Sequence, residues 1–188
     1  MNLMLEAAFC VAFFGFLRCG EFTCNRNFDP HINLTVGDVT VQDDQSRLSL
    51  TLKASKTDPF RKGVTIHMFP TSYYICPVKA VQNYLNALPE ECKAKGHSLF
   101  QDNQLLPLTR QFFLAQLKTL LERLGLDNRQ YSGHSFRIGA ATSCSAAGIE
   151  DHLIQTLGRW SSNCYIRYIH TPLSAISRAQ RQMCGNMK

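Results

Sequence analysis

The chain has 188 residues, of which 45% are hydrophobic and 18% are charged. This composition indicates a folded protein with a hydrophobic core and excludes a disordered chain. The net charge of +6 is uneven, because residues 129–188 hold seven Lys and Arg residues against two acidic residues. Such a local excess of positive charge favours an anionic partner such as nucleic acid, although the same charge could serve solubility alone.

The eight cysteines lie mostly in apolar stretches, and the Cys-x-x-Cys spacing of a zinc site does not occur. No secretory signal is evident, so we predict reduced, mostly buried thiols in an intracellular protein. The apolar run from Leu3 to Leu17 is too short for a membrane span and is interrupted by Glu6. It therefore predicts a buried helix, and we expect no membrane partner.

In chain order, the first predicted element is this helix, over residues 2–16. Alternating apolar and polar residues then predict strands over residues 33–42 and 47–53, and a third strand over residues 64–69. The three strands predict a small antiparallel sheet over about residues 33–69.

The chain is predicted to be helical over residues 77–183. Pro77 suits a first helical position, Thr109 a helix cap, and Gly125 a helix stop. Further helices are predicted over residues 135–147, about 150–157 and 161–169, before a tail from Pro172. The pattern thus predicts an α+β, mainly helical fold in a single domain over residues 1–188.

Five side chains form a set suited to one chemistry: Arg18, Lys56, His134, Arg137 and Tyr168. Two guanidiniums can bind the nonbridging oxygens of a phosphodiester in a bidentate manner, with a charge fixed at any relevant pH. A histidine three residues before an arginine on a helix shares its face, and can donate to phosphate or move a proton. A tyrosine hydroxyl can attack phosphorus while a lysine protonates the leaving oxygen. Side chains supply every cation and donor, so the set requires no metal.

Each member also has a structural alternative. Arg18 could simply form an ion pair with Glu21, and His134 could serve as an N-terminal helix residue. Tyr165, three residues before Tyr168, is the competing tyrosine. The residues alone leave these alternatives open.

In order and spacing, these residues resemble the tyrosine recombinase (phage integrase) family. Leu-Arg-Cys-Gly-Glu at residues 17–21 is similar to the family's Leu-Arg-x-x-Glu motif, and Ser-Lys-Thr at residues 55–57 is similar to its sheet lysine. His-Ser-Phe-Arg at residues 134–137 matches the His-x-x-Arg pair. Leu-Gly-Arg-Trp at residues 157–160 matches the Leu-Gly-His segment, and Tyr-Ile-His at residues 168–170 matches the nucleophile region.

The resemblance implies that Arg18 and Arg137 bind the scissile phosphate, that Lys56 is the general acid, and that Tyr168 is the nucleophile. The interval from the first arginine to this lysine is long, which leaves two alternatives for the general acid, Lys53 and Lys62.

One position departs from the family's spacing. The family usually has His or Trp nine residues before the nucleophile, where this chain has Arg159, whereas Trp160 is eight residues before Tyr168. We expect Trp160 to buttress the site and to bind the phosphate through its indole N–H, with Arg159 as the rival.

The resemblance covers about residues 3–183 and implies site-specific breakage and rejoining of double-stranded DNA through a 3′-phosphotyrosyl intermediate, with no small-molecule cofactor. It also implies self-association on DNA, through a segment over residues 171–188 that docks on a neighbouring subunit. Only the catalytic domain is matched, so the N-terminal DNA-binding clamp domain of the family is expected to be absent. Two alternatives are a catalytically silent DNA-binding remnant or scaffold, and a type IB topoisomerase-like relaxing enzyme.

Two phrases refine the resemblance. Gly-Arg-Trp-Ser-Ser-Asn-Cys-Tyr-Ile-Arg-Tyr-Ile and Lys-Thr-Asp-Pro-Phe-Arg-Lys-Gly look like the eukaryotic DIRS or crypton-type recombinases of mobile elements. This likeness, together with DNA as the substrate, implies a protein of the nucleus.

Overall fold

The computed structural model describes residues 2–25, 27–53, 63–102, 104–169, 171 and 173–185. Helix α1 (Leu3–Phe14) begins at Asn2, whose side chain accepts a hydrogen bond from the backbone N–H of Met4 at 2.9 Å. It ends at Gly15, as the sequence predicts. Residues on all sides of α1 are apolar, which is the pattern of a helix enclosed by a core. The prediction of a buried helix is confirmed, since seven of its residues are buried.

Three antiparallel strands follow, in the spatial order β1 (Val39–Val41), β2 (Leu48–Leu52) and β3 (Val64–Met68). The central strand places its three leucines on one face, because side chains alternate along a strand. These leucines are at most 1% exposed and join the main core. The predicted small antiparallel sheet is confirmed.

The first predicted strand is wrong over residues 33–38, which precede β1. A 3-10 turn, Val36–Asp38, occupies this segment. The carboxylate of Asp38 accepts both the backbone N–H and the hydroxyl of Thr35, each at 2.7 Å. Side-chain hydrogen bonds of this kind compete with a strand ladder, and here they close a turn.

The remaining helices are α2 (Cys19–Phe22), α3 (Pro77–Ala87), α4 (Arg110–Arg123), α5 (Ser135–Ala146), α6 (Asp151–Gly158) and α7 (Leu173–Gly185). Pro77 occupies the first turn of α3, the Thr109 hydroxyl caps α4 by accepting from Phe112, and Gly125 takes a positive φ of 71° after α4. These three sequence predictions are confirmed.

One element near the end of the chain differs from the predictions, because the helix predicted over residues 161–169 is a shorter 3-10 helix, Asn163–Tyr168. The tail from Pro172, which closes the region predicted to be helical up to residue 183, forms α7. The architecture is α+β and mainly helical, as predicted. Within the described part of the chain, every helix is too short or too polar to cross a membrane.

The chain divides into two compact units, Met1–Phe136 and Arg137–Lys188. The first unit contains α1 to α4 and the sheet. Its core joins α1, β2 and α3 with Leu99, Phe100 and Phe113. The second unit contains most of α5, then α6, the 3-10 helix and α7. Seven described cysteines are free thiols, and five of them are buried.

Candidate functional site

In the first unit, Arg18 stands at the start of α2 and is held by Glu21. The Glu21 carboxylate accepts the Arg18 backbone N–H at 2.8 Å and its guanidinium at 2.9 Å. The ion pair considered from the sequence is therefore present. The Glu21 side chain is 5% exposed and that of Arg18 is 20% exposed. A buried carboxylate that binds the main chain and the guanidinium of one residue fixes that guanidinium while part of it reaches the surface.

His134 is exposed and lies beside the segment that carries Arg18. Its backbone N–H donates to the Ser132 hydroxyl at 3.3 Å. The preceding residue, Gly133, packs directly on Cys19, so that a Cβ added at Gly133 would lie 2.8 Å from the Cys19 Cβ. The absence of a side chain at Gly133 thus allows the turn with His134 to approach the start of α2.

Lys56, the predicted general acid, and the alternative Lys62 lie outside the described residues. The other alternative, Lys53, is described, and its ammonium is engaged. It pairs with the Asp38 carboxylate at 2.6 Å and donates to the Pro30 carbonyl at 2.7 Å. These bonds tie the end of β2 to the preceding loop, which is a structural task.

In the second unit, Arg137 is a buried cation, 2% exposed. Its guanidinium carbon lies 4.3 Å from the centroid of the Trp160 ring, and its Nη2 donates to the Gly158 carbonyl. A buried guanidinium needs such partners, because its desolvation is otherwise unfavourable. The aromatic face and the carbonyl fix the position of Arg137.

Trp160 also contacts both candidate tyrosines. Its ring is stacked on Tyr168, with centroids 5.8 Å apart and planes at 27°, and it is tilted against Tyr165 at 5.7 Å. Both tyrosines lie on one 3-10 helix, in which residues three apart share a face. The structure therefore brings Arg137, Trp160 and Tyr168 together.

The two tyrosines differ in burial. Tyr165 is 3% exposed, whereas Tyr168 is half-buried. Burial, together with the negative charge of Asp151, raises the pKa of the Tyr165 phenol above its ordinary value. Tyr168 is thus the more accessible of the two tyrosines.

The turn after α6 directs Trp160 back toward its own helix. Arg159 takes the left-handed conformation, with φ 56° and ψ 43°. The backbone N–H of Trp160 donates to the Gln155 carbonyl, and the backbone N–H of Arg159 donates to the Thr156 carbonyl, each at 3.0 Å. This is the Schellman arrangement, in which glycine usually occupies the position that Arg159 holds here. The two residues considered for the His or Trp position therefore have different structural places. Arg159 forms the turn, and Trp160 contacts Arg137 and Tyr168.

Gly158 has no space for a side chain, since a Cβ at this position would overlap the Trp160 indole. We expect Gly158→Ala to displace the ring and to lower the free energy of unfolding by about 1–3 kcal/mol, the usual effect of overpacking. Trp160 is the single tryptophan of the chain, so its fluorescence reports the displacement.

The control for this prediction is Gly96→Ala, because a Cβ at Gly96 meets no atom within 4 Å. It should leave both the Trp160 emission and the thermal unfolding close to wild type. Wild-type emission and stability in Gly158→Ala would contradict the packing described here.

Sequence reasoning missed two residues of this cluster. Gly158 lies in the segment matched over residues 157–160, which gives it no role. It is the last residue of α6, where the absence of a side chain leaves room for the Trp160 indole. Thr142 gave no local signal, yet its hydroxyl donates to the Tyr168 carbonyl at 3.0 Å. Only a tertiary contact reveals it.

Comparisons with known proteins relate this chain to one family. The model of the "Phage integrase family" matches residues 5–172. Tyrosine recombinase XerD of Corynebacterium glutamicum is 39% identical over 80 residues, which are 42% of this chain and 26% of that protein. The chain thus spans about a quarter of the curated relative that it matches.

Two solved structures share the fold. The crystal structure of XerA recombinase matches with a TM-score of 0.70 at 20% identity. The match covers 97% of this chain and 59% of the XerA chain. The XerH site-specific recombinase, in a pre-cleavage complex with its difH substrate, has a TM-score of 0.62 at 16% identity, covering 95% of this chain and 45% of that one. These likenesses confirm the predicted fold class. With the family model matched over residues 5–172, this chain belongs to the phage integrase family.

Proposed function

We propose that this chain breaks and rejoins double-stranded DNA, in site-specific recombination or integration, through a 3′-phosphotyrosyl intermediate. One observation carries the proposal: Tyr168 stacks on the same indole ring that holds the Arg137 guanidinium. A nucleophile and a phosphate-binding cation are thereby set on one rigid aromatic support. Family membership supports the same chemistry.

In the proposed reaction, the Tyr168 phenol oxygen forms a bond to phosphorus, and the bond from phosphorus to the 5′ oxygen breaks. Arg137 and Arg18 stabilise the charge that develops on the nonbridging oxygens, because guanidiniums fit those oxygens in a bidentate manner. Trp160 buttresses the phosphate-binding group and binds phosphate through its indole N–H. His134 donates to a phosphate oxygen or accepts the phenol proton.

Lys56 is the proposed general acid, which gives its proton to the leaving 5′ oxygen and leaves a free 5′-hydroxyl. The covalent phosphotyrosyl link keeps the energy of the broken bond, so that rejoining needs no external energy source. No metal or small-molecule cofactor enters this scheme, because side chains supply the cations and the donors.

DNA is the proposed partner. The excess of positive charge over residues 129–188 supports it, as does the fold shared with a recombinase whose structure contains its DNA substrate. Binding that depends on such charges should weaken steeply as salt rises.

The proposal is tested with a suicide duplex that is nicked near the scissile phosphate, incubated with the protein without metal, and run on a denaturing gel. A protein–DNA band that survives denaturation is expected. Salt-sensitive binding with no such band would overturn the proposal and would favour a DNA-binding remnant.

We also propose self-association on DNA through α7. Its apolar residues are largely exposed, with Leu173 at 83% and Met183 at 71%, and α6 exposes Leu153 at 45% and Leu157 at 42%. Exposed apolar residues grouped on short helices are typical of surfaces that a partner covers. Deleting residues 171–188 is therefore expected to remove the higher-order complexes seen when the protein is titrated on DNA and analysed by sedimentation.

The matched control for this deletion keeps the apolar residues and removes charge, as in the double substitution Arg178→Gln and Arg181→Gln. It should weaken DNA affinity but preserve the stoichiometry of the complexes. Unchanged stoichiometry in the deletion would remove the self-association proposal.

The origin in a eukaryotic DIRS or crypton-type mobile element, and with it action in the nucleus, is also proposed. The motif phrases around Trp160 and Lys56 support it. Imaging of a fluorescent fusion in eukaryotic cells tests the location, and exclusion from the nucleus would contradict it.

A further inference from the structure

Thr142 connects α5 to the end of the 3-10 helix that carries Tyr168. Its Oγ1 donates to the Tyr168 carbonyl at 3.0 Å, and the threonine is partly buried. The bond joins residues that are 26 positions apart in the chain. It is therefore a tertiary tether rather than part of a local turn.

The tether closes a ring of contacts. Arg137 lies five residues before Thr142 on α5, which separates them by roughly 7.5 Å along the helix axis at 1.5 Å per residue. Arg137 stacks on Trp160, and Trp160 stacks on Tyr168, whose carbonyl returns to Thr142. Tyr168 is thus restrained by two contacts: its ring stacks on Trp160, which contacts Arg137, and its backbone carbonyl accepts from Thr142. Arg137 and Thr142 both lie on α5.

The hydrogen bond from Thr142 restrains the backbone at the end of the 3-10 helix. Tyr168 is the last residue of a 3-10 helix, a form with poorer hydrogen-bond geometry than the α-helix. Carbonyls at the end of a helix have no partner within it, so a side-chain donor from elsewhere limits fraying there. The bond from Thr142 restrains the Tyr168 backbone in addition to the contact of its ring with Trp160.

We infer that Thr142 is a positioning residue for Tyr168, whose hydroxyl keeps the tyrosine in the arrangement from which it attacks DNA. The inference rests on the proposed function, and it identifies a residue that none of the motifs contains. Loss of one neutral hydrogen bond should reduce the population of this arrangement, and with it the cleavage rate, by about 3- to 10-fold.

The test compares Thr142→Val, which keeps the shape and removes the donor, with Thr142→Ser, which keeps the donor. Single-turnover cleavage of the suicide duplex is measured at saturating protein, together with DNA affinity and acrylamide quenching of Trp160. Thr142→Val should cleave about 3- to 10-fold more slowly with unchanged affinity and stronger quenching. Thr142→Ser should restore both the rate and the quenching.

Wild-type cleavage and quenching in Thr142→Val would overturn the inference, as would equal losses in the Val and Ser variants, which would indicate packing alone. If Thr142→Val does not fold, Thr142→Ala is the second variant without the donor. If the wild type itself forms no adduct, the proposed function fails, and the quenching comparison alone decides whether the tether exists.

Discussion

Tyr168→Phe is expected to abolish the covalent protein–DNA adduct while leaving the fold and the DNA affinity unchanged. The substitution removes only the phenol oxygen, which is the proposed nucleophile. The ring remains, and with it the stacking on Trp160. Its backbone carbonyl, which accepts from Thr142, is also kept. The measurement is the denaturing gel, with thermal unfolding and a binding titration on the same sample.

Tyr165→Phe is the matched control, since it removes the same atom from the neighbouring tyrosine. Tyr165 is buried, and its phenol interacts with Asp151, so a modest loss of stability is expected. The adduct should persist. The opposite pattern, in which Tyr165→Phe loses the adduct and Tyr168→Phe keeps it, would identify Tyr165 as the nucleophile.

Arg137→Lys is expected to slow cleavage by on the order of 10²- to 10³-fold, the usual effect of removing one group that stabilises developing charge. Lysine keeps the charge but has no planar fork, so it can neither lie flat on the Trp160 ring nor bind two phosphate oxygens in the bidentate manner of the guanidinium. The rate of adduct formation under single-turnover conditions measures the effect, with thermal unfolding as the check on folding.

The control for Arg137 is Arg167→Lys, because Arg167 is exposed on the same 3-10 helix that carries Tyr168. This substitution should change the rate little. A fully active Arg137→Lys variant would show that charge alone suffices and that the stacked guanidinium is not required.

Local signals predicted much of the fold. The cap at Thr109, the proline at the start of α3 and the glycine after α4 each act within a few residues of their position. The three-stranded sheet was readable from alternation. The segment before β1 was not, because the Asp38 carboxylate accepts the Thr35 backbone N–H that a strand would use, and alternation carries no information on such a bond.

The candidate site was readable as a set of residue types, but its arrangement was not. The position of Trp160 depends on a left-handed Arg159, a conformation that sequence rules assign to glycine. The burial of Arg137 and the tether from Thr142 depend on contacts between distant parts of the chain. The sequence spacing left Trp160 and Arg159 as rivals, and only the folded turn distinguishes what each of them does.

The most direct test of the central claim maps the adduct on the chain. Arg167 lies between the two tyrosines, so trypsin places Tyr165 on the peptide 160–167 and Tyr168 on the peptide 168–178. After cleavage of the suicide duplex and removal of the DNA by nuclease, mass spectrometry should find the residual nucleotide on the peptide that begins at Tyr168. A nucleotide on peptide 160–167, or on neither peptide, would contradict the assignment of Tyr168 as the nucleophile.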